Sequence, residues 1–198
     1  KNLFLVSNFL IKKFKKVSLI TISKNYKKKF NNSIEFISLS SPIWDNFGRK
    51  LKYFLALILL IKEILNSRNL LVFSFQANIY CIIVCKLLGV QVISRSNSAP
   101  IGWSQNWLKR TIFKIVLNLA DKVMVNSLQF KKDLKKEFNV DAICIYNPLN
   151  IKEIKQKSKE NTPSIFKSKK KLKILNIGRF TEQKDQKTLL KSLNYLKR

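Results

Sequence analysis

Short apolar runs rich in β-branched residues alternate with helical patterns along most of this chain, and that alternation restricts the fold more than any other feature. Residues 17–23 (VSLITIS), 34–39, 69–75 (NLLVFSF), 90–94, 122–125 and 142–146 read as strands. Residues 2–11, 49–65, 79–88, 105–119 and 128–138 carry apolar positions at helical spacing. The strand at 69–75 is apolar on both faces, as a parallel sheet requires. Strands separated by helices of this length predict βαβ units, hence an α/β fold whose parallel sheet has helices on both faces across residues 17–146. Gly89 is placed to end one helix and Ser127 to start another. Asn147-Pro148 closes the last of these strands, since proline cannot continue the ladder.

The pattern stops at residues 155–171. This stretch is rich in Lys and Ser, contains Pro163, and has little apolar content beyond Ile165 and Phe166, so it reads as a surface linker. Beyond it lies LKILNIGRFTEQK, residues 172–184, followed by Asp185. The run Ile174-Leu175-Asn176-Ile177 reads as a strand stopped by Gly178, and Leu189, Leu190, Leu193 and Leu196 mark a helix. In an open α/β sheet, ligands bind at the carboxyl ends of strands. Arg179 and Lys184 stand at the two ends of that loop, and two cations so placed can clamp a phosphate. A plain solvated loop is the competing reading. Asp185 is in position to cap the helix.

Composition narrows the function classes. The chain of 198 residues can hold one ordinary domain and part of another. Its net charge of +28, mostly lysine, suits an anionic membrane surface, phosphate-rich ligands or nucleic acid, or else records a bias toward Lys, Asn and Ile. No nucleic-acid motif accompanies it, so nucleic acid is not the expected partner. Three cysteines, Cys81, Cys85 and Cys144, lie in apolar stretches and read as reduced, buried thiols of a cytoplasmic protein. The chain has no histidine, which removes a Ser-His-Asp triad and leaves no histidine to complete a zinc set with Cys81 and Cys85. It also has no Asp-x-Asp pair, the mark of a metal-dependent GT-A transferase, and no metal is expected. The longest apolar run, residues 53–61 (YFLALILLI), falls short of the roughly 20 residues a bilayer span needs.

Three segments together resemble glycosyltransferase family 4, the group 1 glycosyltransferases. Gly178-Arg179-Phe180 with Gln183-Lys184-Asp185 is similar to the family's Gly-Arg-Leu/Phe and Gln-Lys-Asp/Asn signature. Ala120-Asp121-Lys122-Val123-Met124-Val125-Asn126-Ser127 resembles the last inner strand of its N-terminal domain. Ile145-Tyr146-Asn147-Pro148-Leu149-Asn150 resembles the Asn-Pro-Val-Asp segment before its second domain. The resemblance implies a GT-B fold of two Rossmann-like domains. Residues 1–150 would be the N-terminal acceptor-binding domain, 151–171 a linker, and 172–198 the first βα unit of the C-terminal nucleotide-sugar-binding domain.

The family's glycine-rich loop is expected before Lys1 and its Glu-x7-Glu motif after Arg198. The sequence therefore reads as an internal piece with its first strand missing, and little or no sugar transfer is expected from these residues alone. The implied activity is retaining transfer of a sugar from a nucleotide-sugar donor to a hydroxyl acceptor, in synthesis of a cell-envelope glycan such as lipopolysaccharide, capsule or exopolysaccharide. The donor is a substrate, no cofactor is implied, and the catalytic residue is not identified. Another GT-B-shaped nucleotide-sugar enzyme, such as an epimerase, and a basic nucleic-acid-binding protein are the alternatives.

On this reading Arg179 and Lys184 hold the donor diphosphate. Candidate acceptor or cleft residues are Arg95, Asn97, Ser98 and Trp103 after the strand at 90–94, Ser127 after the next, and Asn147. Each has a plainer role open to it: Arg95 in a structural ion pair, Ser127 as a helix cap, Asn147 in a turn. The basic and aromatic surface around Trp44, Phe47 and residues 50–53 suggests a glycan or lipid-linked acceptor met at the inner face of the cell membrane, where anionic lipid would hold the protein peripherally.

Overall fold

Strands form where the β-branched runs lie, and all of them are parallel. The computed structural model describes residues 2–22, 30–39, 42–67, 69–97, 106–160 and 174–196. It divides into two units, Lys1–Ile151 and Lys152–Arg198. In the first, β1 (Ser18–Ile20) pairs with β2 (Glu35–Ile37). A separate four-stranded sheet follows in the order β3 (Leu71–Ser74), β4 (Gln91–Ser96), β5 (Lys122–Val125), β6 (Ala142–Cys144). The expected single sheet is therefore two, divided between β1 and β3, which are not hydrogen-bonded to each other among the described residues.

Helices α1 (Asn2–Leu10), α2 (Arg49–Asn66), α3 (Asn78–Leu87), α4 (Trp107–Leu119) and α5 (Leu128–Phe138) accompany the strands. Because β3 to β6 advance one position at each step, right-handed crossovers bring α3, α4 and α5 to one face. That face holds the core: Val92, Val123, Val125 and Ala142 pack with Ile82, Cys85, Leu117, Phe130 and Leu134, joined by Leu60 and Ile64 of α2. On the opposite face Leu71 and Ile143 remain 44% and 42% exposed. Helices reach a second face only where strand order reverses, and within β3 to β6 it does not. The sheet is thus parallel and flanked by helices, with Phe73, Ile93 and Met124 half-buried and Arg95 buried on the face of Leu71 and Ile143.

Local chemistry sets the helix ends. After α3, the Val90 N–H bonds to the Cys85 carbonyl at 2.8 Å and the Gly89 N–H to that of Lys86 at 3.3 Å. This is a Schellman closure, with Gly89 in the left-handed region at φ 71°. Asn106 and Ser127 cap α4 and α5 through their side chains. Helix α1 joins the smaller sheet through a file of edge-on rings, Phe4–Phe30–Phe36.

The second unit contains most of α6 (Ile151–Lys157), a 3-10 turn over Glu182–Lys184, and α7 (Gln186–Tyr195). Helix α6 was not foreseen; it overlaps the expected linker, of which residues 161–171 lie outside the described residues. The expected strand at 174–177 is not formed. A strand needs a neighbour for its backbone groups, and the described part of this unit offers none. Ile174, Leu175 and Ile177 are consequently exposed.

Candidate functional site

The carboxyl edge of the four-stranded sheet carries a polar network whose centre is Arg95. The residue lies near the end of β4 and is only 2% exposed. Its Nη2 donates to Asn147 Oδ1 at 2.9 Å and its Nε to Asn97 Oδ1 at 3.4 Å. The guanidinium carbon stands 5.6 Å from the centre of the Phe75 ring. Burial pushes its pKa down from the ordinary arginine value; a guanidinium in a protein nonetheless keeps its charge. The plainer alternative, a structural ion pair, is not made: no carboxylate among the described residues pairs with Arg95.

Two further residues, not singled out from sequence, complete the network. Asn78, the first residue of α3, accepts from Ser74 Oγ at 2.7 Å and donates to the Arg95 carbonyl at 2.9 Å and to Ser96 Oγ at 3.3 Å. It fastens the ends of β3 and β4 together. The residue before it, Ala77, holds φ at 53°, an uncommon conformation for a residue with a Cβ. Asn2, at the start of α1, donates to Asn147 Oδ1 at 2.8 Å, so one amide oxygen serves both Arg95 and α1. The available signal was position: Asn78 follows a strand's carboxyl end by a few residues, where polar side chains face the crevice.

The structure thus brings Arg95, Asn97 and Asn147 together. Ser127 sits at the same edge, after β5, and its Oγ accepts from the Phe130 N–H at 3.1 Å, the cap of α5. Ser98 and Trp103 lie outside the described residues. Trp44 and Phe47 stack on each other with ring centres 5.2 Å apart and are half-buried. The larger exposed apolar surface is on the helices instead. Leu108, Ile112, Ile115 and Leu119 form an outward stripe on α4, and Leu51, Phe54, Ile58 and Leu65 one on α2. Cys81 and Cys85 lie one turn apart on α3; burial raises both thiols, Cys85 to about 12, which keeps them protonated at neutral pH.

In the second unit, Arg179 and Lys184 are exposed on the loop that enters α7, and neither pairs with a carboxylate among the described residues. The loop is held by its backbone. Gln186 Nε2 donates to the Arg179 carbonyl at 2.9 Å. A Cβ at Gly178 would come within 3.4 Å of both Gln186 Nε2 and Lys184 Cγ, so glycine lets the chain pass close to the lysine stem. Asp185 adopts φ 44° and its Oδ1 accepts from the Thr188 N–H at 3.2 Å, capping α7 as its position suggested. Two cations, one a planar fork and one a point charge, are presented on a loop tied down at both ends. Such a loop can bind a phosphate or diphosphate.

No protein-family model matches the chain, and no curated protein matches it.

Proposed function

We propose that this sequence is part of a retaining glycosyltransferase of GT-B architecture, in which the first unit receives a hydroxyl acceptor and the second begins the nucleotide-sugar domain. The observation that carries the reading is the loop of the second unit. Arg179 and Lys184 are both exposed and free of carboxylate partners among the described residues, on a segment closed by Gly178 and by the Asp185 cap. The order of the three family-like segments supports it as well: one contains β5 and the Ser127 cap, one follows β6, and one is this loop.

The chemistry follows from charge. Sugar transfer from a nucleotide sugar expels a nucleoside diphosphate, so negative charge grows on the leaving phosphate as the glycosidic bond breaks. Cations fixed beside it stabilise the transition state more than the ground state, which raises turnover and not only affinity. A lipid-linked acceptor of a cell-envelope glycan fits a protein with a charge of +28 and outward apolar stripes on α2 and α4. No described helix is long and apolar enough to cross a membrane. The proposed location is the inner face of the cell membrane, peripherally bound.

The test uses Arg179→Ala and Lys184→Ala in a preparation containing this sequence that turns over a nucleotide sugar. Each substitution is expected to lower turnover on the order of 10²–10³-fold, the range for loss of a preorganised donor. Melting temperature should hardly move, since exposed cations contribute at most about 1 kcal/mol. Turnover near wild type in both variants would remove the loop from the donor site and the reading with it.

A further inference from the structure

A guanidinium taken out of water carries a desolvation cost of several kcal/mol unless something compensates it. In Arg95 the usual compensation is missing. The described carboxylates closest to cations are engaged elsewhere: Glu35 with Lys16, Asp121 with Lys86, Glu137 with Arg110, Asp141 with Lys135, Glu153 with Lys157. The Phe75 ring face offers roughly 1–2 kcal/mol by cation–π attraction, too little to offset burial. What remains are two neutral amide oxygens, from Asn97 and Asn147, which satisfy two of the five N–H donors an arginine carries. Both asparagines are exposed, so when they turn aside water can take up their oxygens and the Asn2 amide that also donates to Asn147. A buried cation held by exchangeable neutral acceptors, at the edge of the sheet where ligands enter, is arranged to receive an anion.

We propose that Arg95 is the floor of an anion site at the carboxyl edge of the first unit, where a phosphate group displaces the amide oxygens of Asn97 and Asn147 and bonds the guanidinium fork. Phosphate fits better than a single-point acceptor because the fork presents parallel N–H groups to two oxygens. Applied to the transferase reading, on which only this assignment rests, the phosphate belongs to the acceptor, so the acceptor class is a phosphorylated sugar or a phospholipid-linked one. Lysines on the surface also attract phosphate, but they stay hydrated. Arg95 differs in having no water shell of its own to lose when the anion arrives.

The experiment measures the melting temperature of the 198-residue chain during titration with inorganic phosphate, against chloride at matched ionic strength. Wild type should show a saturable rise. Arg95→Gln should bind phosphate at least tenfold more weakly. Asn147→Asp places a permanent anion 2.9 Å from Nη2; it should raise the melting temperature in chloride and abolish the phosphate response. Equal phosphate shifts in all three proteins would assign the effect to surface lysines and overturn the site. So would an Asn147→Asp variant less stable than wild type in chloride, a result that still decides the matter if Arg95→Gln does not fold. Two more probes, a soluble sugar phosphate and a short-chain phosphatidic acid kept below its micelle concentration, separate the sources, the tighter binder naming the acceptor body. None of these measurements requires sugar transfer, so failure here leaves the Arg179 and Lys184 proposal standing, and failure there leaves this one.

Discussion

Replacing Asp121 tests how the sheet edge opposite the site is held. Its carboxylate accepts from the Val92 N–H at 2.7 Å and from Lys86 Nζ at 2.6 Å, while its own N–H bonds the Val92 carbonyl at 3.1 Å. One side chain therefore joins α3, β4 and the entry to β5. Val92 is fully buried, so its N–H has no water to turn to. In Asp121→Ala that donor is stranded, and losing a charged acceptor costs about 1.5–3 kcal/mol. The Lys86 pair, about a third exposed on both sides, adds only about 0.5 kcal/mol. A total near 3 kcal/mol lowers the melting temperature by about 6–12 °C for a domain of this size. Asp121→Asn keeps a neutral acceptor and should lose only about 1 kcal/mol, or about 2–4 °C.

The pH dependence gives a second reading of the same clamp. The Lys86 hydrogen bond first, and the Val92 N–H second, hold the Asp121 carboxyl below its ordinary range. A depressed carboxyl contributes stability that is complete above the unfolded value, about 3.9, and is lost as pH falls through the folded value. The gap between wild type and Asp121→Asn, followed by circular dichroism, should be widest near neutral pH and close below about pH 4. An Ala variant within a degree of wild type, or a gap that persists in acid, would refute the clamp.

Two further outcomes follow from features already described. Ser127→Ala should cost about 1 kcal/mol through loss of the α5 cap, and Ser127→Thr should restore most of it, read by thermal melts. The chain should sediment with vesicles containing anionic lipid, each lysine near the surface contributing roughly 1 kcal/mol, and salt should weaken the binding as the screening length falls to about 10 Å at 0.1 M. Ile112→Asp with Ile115→Asp should weaken it further, and equal sedimentation with neutral vesicles would reject the electrostatic account.

The strands were legible because β-branched runs have few other places to go, and the ends of α3 and α5 because Gly89 and Ser127 act within a few residues of themselves. Asp185 was readable for the same reason. Longer-range facts were not. The bond between Arg95 and Asn147 joins positions 52 residues apart, and no local pattern encodes it. The separation of β1 from β3 depends on which edges meet, a matter of register and not of composition. At residues 174–177 the apolar run was real but periodicity says nothing about whether a partner strand stands beside it. Helix α6 escaped for the opposite reason. It has no buried residue, so it lacks an apolar stripe pointing to a core, and the exposed Glu153–Lys157 pair one turn apart helps to hold it.

In the four-stranded sheet, each strand bonds only to its immediate successors and predecessors in the chain. Such a sheet can assemble by accretion: once β3 and β4 meet across α3, every later strand needs only the single crossover through its preceding helix closed before it finds its edge. Growth of this kind requires no distant segment to arrive first. The smaller β1–β2 pair, two strands of three residues not hydrogen-bonded to the four-stranded sheet among the described residues, stands outside that sequence of events. Native-state hydrogen exchange should accordingly resolve two populations of amides, those of β1 and β2 opening by local fluctuation and those of β4 and β5 only when the sheet is lost as a whole.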